Sequence, residues 1–178
     1  LELEELLTSY YELSKKPEVL FVFIINKKLA SYLHLGNGHK LFVKYGTVEG
    51  TIQEKQEIKK IDYEISTVNP RICLTPYPID RDCQIPQQGL KLYFDWVTLH
   101  DLPCYGFLGS GVLHTLFQDH DVPKLMYSEV VRLKGNVRGD QGIGLLKKGY
   151  LLPEEKEYIK KFKDKYDASN LMNKGKLL

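Results

Sequence analysis

Val19-Leu20-Phe21-Val22-Phe23-Ile24-Ile25 is a run of seven apolar residues, β-branched or aromatic at most positions and with no polar interruption. Spanning a bilayer takes roughly 20 apolar residues, so this run is far too short for a membrane segment. Its length and composition predict a strand buried on both faces. Such a strand needs covering elements on each side, and the flanking sequence offers them.

On the N-terminal side, Leu3, Leu6, Leu7, Tyr10 and Leu13 recur at helical spacing among Glu2, Glu4, Glu5 and Glu12, and Pro17 follows. This predicts an amphipathic helix over 2–16, with its acids placed favourably against the positive end of the helix dipole. On the C-terminal side, Leu29–Leu35 and Lys40–Tyr45 flank Gly36-Asn37-Gly38, a hairpin signal. A charged helix is expected over Thr51–Lys60 and an alternating strand over Ile61, Tyr63, Ile65 and Thr67. A further short strand is expected over Ile72–Thr75. Pro76, Pro78, Pro86 and Gly89 mark 76–89 as a long loop. Leu90, Leu92, Phe94 and Trp96 alternate as a strand does, and Gly106, Gly109 and Gly111 lead into a short helix over 112–117. Lys124–Leu133 reads as a strand, and the glycines from Gly135 to Gly144 as a flexible stretch. Pro153 opens a helix with Tyr158, Phe162 and Tyr166 on one face.

The sum is one α+β domain over 1–166. It has a mainly antiparallel sheet, flanking helices at both termini and a flexible tail over 167–178. A chain of 178 residues, 43% hydrophobic and 27% charged, fits one globular domain and excludes disorder, collagen repeats and coiled coil for the whole. Cys73, Cys83 and Cys104 form no CxxC pair, which points to a reducing, cytoplasmic setting without disulfides.

The net charge of +2 is too small for a generally basic nucleic-acid binder, but it is unevenly spread. Residues 124–178 hold 13 Lys/Arg against 7 Asp/Glu, a balance of +6, while residues 1–123 carry −4. An anionic partner for the basic third is the functional reading of that split, and a solvated surface helix is the structural one. Two glycine stretches suit an anion. Gly109-Ser110-Gly111 precedes the expected short helix, whose N-terminus would face a phosphate. Lys134-Gly135-Asn136-Val137-Arg138-Gly139-Asp140-Gln141-Gly142-Ile143-Gly144 is neither a Walker A loop nor a dinucleotide fingerprint. It does offer Arg138 for a bidentate oxyanion contact, with Lys134, Lys147 and Lys148 near in sequence. Lys156 and Lys160 extend the basic surface along the C-terminal helix.

The leading expectation is therefore non-catalytic binding of a phosphate-bearing partner, nucleic acid in the first instance. The residues are Lys134, Arg138, Lys147, Lys148, Lys156 and Lys160, and no cofactor is expected. A second expectation is a protein-interaction module built on exposed aromatics and the acidic N-terminal half. The third is a metal-dependent hydrolase in the cluster at 100–121. There His100, His114, His120 and Asp121, with Asp101, Cys104 and Asp119 nearby, offer imidazole and carboxylate to a divalent cation. Their spacing matches no metal motif. Ser110 lacks the frame of a nucleophile elbow, and Cys104 reads as an inert buried thiol.

Overall fold

The computed structural model describes residues 2–46, 76–119, 122–137, 139 and 141–175. In chain order the elements are α1 (Leu3–Ser14), β1 (Val19–Ile25), α2 (Lys27–Tyr32), β2 (Lys40–Tyr45), β3 (Ile79–Gln84), α3 (Leu90–Leu99), β4 (Cys104–Phe107), β5 (Val112–Phe117), α4 (Val122–Arg132), α5 (Gly144–Lys147) and α6 (Pro153–Tyr166). The strands form one antiparallel sheet in the order β2-β1-β4-β5-β3. The chain is an α+β domain with helices at both ends.

β1 behaves as its composition dictates. Val22 and Ile24 join the larger core, against α1, α3 and α4. Phe23 and Ile25 join a smaller core on the opposite face, with Leu29, Ala30, Leu33 and Tyr77. α1 buries Leu6, Leu7 and Tyr10, as its spacing requires. Burying each leucine contributes about 1.5–3 kcal/mol of transfer free energy.

Several elements differ from their sequence reading, each for a physical reason. Residues 27–32 are helical because Asn26 caps them, accepting from the Leu29 N–H at 3.0 Å. The partner of β2 is therefore β1, and Gly36-Asn37-Gly38 belongs to a helix-to-strand loop rather than a hairpin. The segment read as a loop over 76–89 contains β3, whose Asp80, Arg81 and Asp82 hid a strand behind charge. Leu90, Leu92, Phe94 and Trp96 alternate by coincidence. The buried set is Leu90, Tyr93, Phe94 and Val97, the 3.6-residue period of α3.

Residues 112–117 form a strand, not a helix. Gly111 turns into it at φ +69°, with its Cα so close to the chain that a Cβ would fall 2.0 Å from the Ile85 carbonyl oxygen. Lys124–Leu133 is mostly helix α4, which buries Met126, Tyr127 and Val130. α6 spans the expected residues. The elements expected between Thr51 and Thr75 lie outside the described residues. Among the described residues, no helix is long and apolar enough to cross a membrane.

One buried side chain joins three parts of the fold. Asn26 accepts from the Leu29 and Cys104 N–H groups, each at 3.0 Å, and donates to the Leu102 carbonyl at 2.8 Å. Asn26→Ala removes a helix cap and leaves a buried donor and a buried acceptor without partners. It is expected to cost about 2–4 kcal/mol, read as a lower denaturant midpoint at unchanged slope. A loss below about 0.5 kcal/mol would contradict this role.

Candidate functional site

Alternation along β3 places Asp80 and Asp82 on one face, and register sets His114 of β5 opposite Asp82. Tyr105 of β4 stands opposite His114 in turn. Asp80 bridges two of these neighbours. One carboxylate oxygen lies 3.0 Å from His114 Nδ1, and the other accepts from the Tyr105 hydroxyl at 2.8 Å. The Tyr105 ring stacks on the imidazole with centroids 4.8 Å apart and planes 12° from parallel. His114 and Asp80 keep 12% and 28% of their side-chain surface exposed, so the pair is sheltered yet reachable. A carboxylate on Nδ1 fixes the ring's orientation and tautomer, which is what an acid–base histidine requires.

Asp82 has a different environment. Its side chain is fully buried and ion-paired with Lys147, itself only 4% exposed. The second carboxylate oxygen accepts from the Gln141 N–H at 2.8 Å. Gly139 packs so closely that a Cβ there would fall 2.1 Å from the same oxygen. Burial pushes the Asp82 carboxyl up, but Lys147 and the Gln141 N–H outweigh it and hold the group below its ordinary range. The glycine-rich segment thus does hold an anion, and that anion is Asp82. Lys147, expected on the surface for phosphate, is spent inside the protein.

The two glycine stretches meet elsewhere. A cavity of about 320 Å³ is lined by Gln84, Ser110, Gly111, Lys134, Gly135 and Asn136. Gln84 ties its walls together. Its side-chain amide donates to the Ser110 carbonyl at 2.9 Å, and its backbone exchanges two 2.7 Å hydrogen bonds with Asn136. Gly109-Ser110-Gly111 joins two strands, so the helix N-terminus expected after it is not there. Lys134 ends α4 in the left-handed conformation, φ +57°, with its N–H on Val131 and that of Gly135 on Val130. Glycine is the ordinary residue at such a cap, so a lysine there is held at a conformational cost.

The remaining candidates are dispersed. His100 ends α3, with Nδ1 2.9 Å from the Trp96 carbonyl and its ring against the indole. It does not join His114, and among the described residues no group of three or more His, Cys, Asp or Glu converges on a metal position. Asp101 pairs with Lys28. Lys148 reaches the Gly175 carbonyl at 3.2 Å, while Lys156 and Lys160 are exposed on α6. His120, Asp121 and Arg138 lie outside the described residues. Cys104 is fully buried, and burial drives its thiol far above the ordinary range. Burial pushes the Cys83 thiol up to about 12, so neither is a nucleophile at neutral pH.

Asp80 and Asp82 were missed because polar residues in a proline-flanked stretch read as loop. The available signal was the alternation of Ile79, Arg81 and Cys83 against Asp80 and Asp82.

Lys147→Met strands a buried carboxylate and is expected to cost about 3–5 kcal/mol at neutral pH, most of it recovered by adding Asp82→Asn. The folded Asp82 carboxyl titrates below its unfolded value. The pair's contribution is therefore complete above about pH 4 and lost as pH falls through the folded value. Asp82→Asn is expected to shrink the loss of stability on acidification, measured by denaturation at a series of pH values. Equal acid sensitivity in both proteins would contradict the pairing. No protein-family model and no curated protein matches this sequence.

Proposed function

We propose that the protein binds a phosphate-bearing partner, nucleic acid in the first instance, with Lys134 at the centre of the contact. The observation that carries this reading is the meeting of both glycine turns in one polar cavity with Lys134 among its lining residues. A polar cavity with a cation among its lining residues suits a phosphate oxygen. The left-handed conformation of Lys134, where glycine is easier, supports the reading, since strained residues cluster at binding sites. The excess of Lys/Arg after residue 123, Arg138, Lys148, Lys156 and Lys160 among them, suits an anionic partner for that part of the chain. Lys147 is not part of the contact.

Lys134→Gly separates stability from function. Glycine at the left-handed cap is expected to raise stability by about 1 kcal/mol. Losing the ammonium is expected to weaken oligonucleotide binding and flatten its salt dependence by about 0.7 in log–log slope on single strands. Titration of a labelled oligonucleotide at several salt concentrations reads both. Unchanged affinity and slope would overturn the proposal.

A second reading rests on the Asp80–His114–Tyr105 group and adds chemistry to binding: hydrolysis of a phosphate ester, with His114 as acid–base group. A divalent cation would be carried in by the phosphate itself, since both Asp80 oxygens are already hydrogen-bonded. His114→Ala is then expected to abolish cleavage of a labelled oligonucleotide in manganese while leaving its binding intact. No cleavage by the unaltered protein, with manganese or with chelator, would reject this reading and leave binding alone.

A further inference from the structure

We infer that the aromatic face of α6 is a self-association surface, paired antiparallel with the same helix of a second copy. α6 buries none of its fourteen residues. Tyr158, Phe162 and Tyr166 recur every fourth position and are 71%, 49% and 59% exposed, a continuous apolar ladder on one side of the helix. The segment that follows extends it. Asp167 accepts from the Leu171 and Met172 N–H groups, and the Lys163 ammonium, 2.7 Å from Asp167, also donates to the Met172 carbonyl. This closed turn holds Met172 beside the ladder, across a groove of about 370 Å³ shared with Tyr158, Ile159 and Phe162. Leu171 and Met172 are themselves exposed. An apolar stripe of this extent, fixed by a dedicated ion pair, is the mark of an interaction surface.

Charge identifies the occupant. Glu154 in the first turn and Lys165 in the last lie along the same flank of the ladder, eleven positions or about three turns apart. When two copies of α6 run antiparallel about a two-fold axis level with Lys160, Tyr158 of each meets Phe162 of the other. Glu154 of each then stands within one residue, about 1.5 Å, of level with Lys165 of the other. The helix dipoles also oppose favourably. Parallel pairing would set Glu154 on Glu154 and lysine on lysine. A phosphate backbone along the ladder would meet the acids of the first turn. Lys156 and Lys160, offered to the phosphate partner above, lie on the other side of the helix, so the two surfaces are separate. A contact of one helix and a turn is at the small end for a specific interface, about 1,000 Å² in total, so the dimer is expected to be concentration-dependent.

Sedimentation equilibrium of the full chain, from micromolar to submillimolar concentration, is expected to show the mass rising from one chain to two. Phe162→Asp is expected to remain monomeric throughout with an unchanged circular-dichroism spectrum. Glu154→Lys and Lys165→Glu are each expected to weaken association severalfold, and the double variant to restore it, which tests the register without touching the apolar ladder. A monomer at every concentration would overturn the inference, as would a dimer indifferent to Phe162→Asp. It would also fall if the double variant associated no better than either single one. A monomer whose Phe162→Asp variant loses oligonucleotide binding would assign this face to nucleic acid instead.

Discussion

A carboxylate with no exposed surface must be neutralised where it stands, and the arrangement around Asp82 follows from that need. Asp82 lies on β3, the last strand of the sheet among the described residues. The ammonium of Lys147 and the N–H of Gln141 reach it from a segment some sixty residues later in the chain. Gly139 must be glycine for that segment to come close enough. A buried pair of this kind is weak evidence for net stability, because desolvating both charges costs nearly what their attraction returns. What it supplies is uniqueness. Any other path for the segment leaves two charges unpaired, so β3 acquires a fixed cover at Asp82.

That cover has consequences for both candidate sites. Gln84, two residues along β3, pairs its backbone with Asn136, which brings the α4 cap and Lys134 against the β4–β5 turn and creates the polar cavity. Asp80, two residues the other way, meets His114 and Tyr105. Asp80, Asp82 and Gln84 thus share one face of one strand and carry three different tasks, set by what each finds opposite it.

Legibility from sequence followed the same physics. β1, α1 and α6 could be read because their burial or spacing shows without ambiguity in the side chains: unbroken apolar residues in one, leucines and acids in period in the next, and a proline start in the last. α3 was misread as a strand, since four apolar residues at alternate positions suggest one until the positions between them are weighed. There Tyr93 and Val97 decide for the helix. β3 was hidden because its two acids find partners distant in sequence. The same distance concealed the site. His114 was visible as a candidate, but its partner Asp80 is 34 positions earlier, and no local pattern announces that pairing. Lys147 looked like a surface cation, because nothing near it in sequence reveals the carboxylate it neutralises.

The central claim is that Asp82 is an internal anion, ionised at neutral pH, that organises the segment from Gly139 to Lys147. Its most direct test is the pH titration of the Asp82 side-chain carboxyl carbon by nuclear magnetic resonance on the intact protein. The account predicts a midpoint below the ordinary aspartate value of 3.8, with the Gln141 amide shifting in the same transition. A midpoint at or above that value, or a Gln141 amide indifferent to it, would mean that burial outweighs the pairing and that the segment is held by something else.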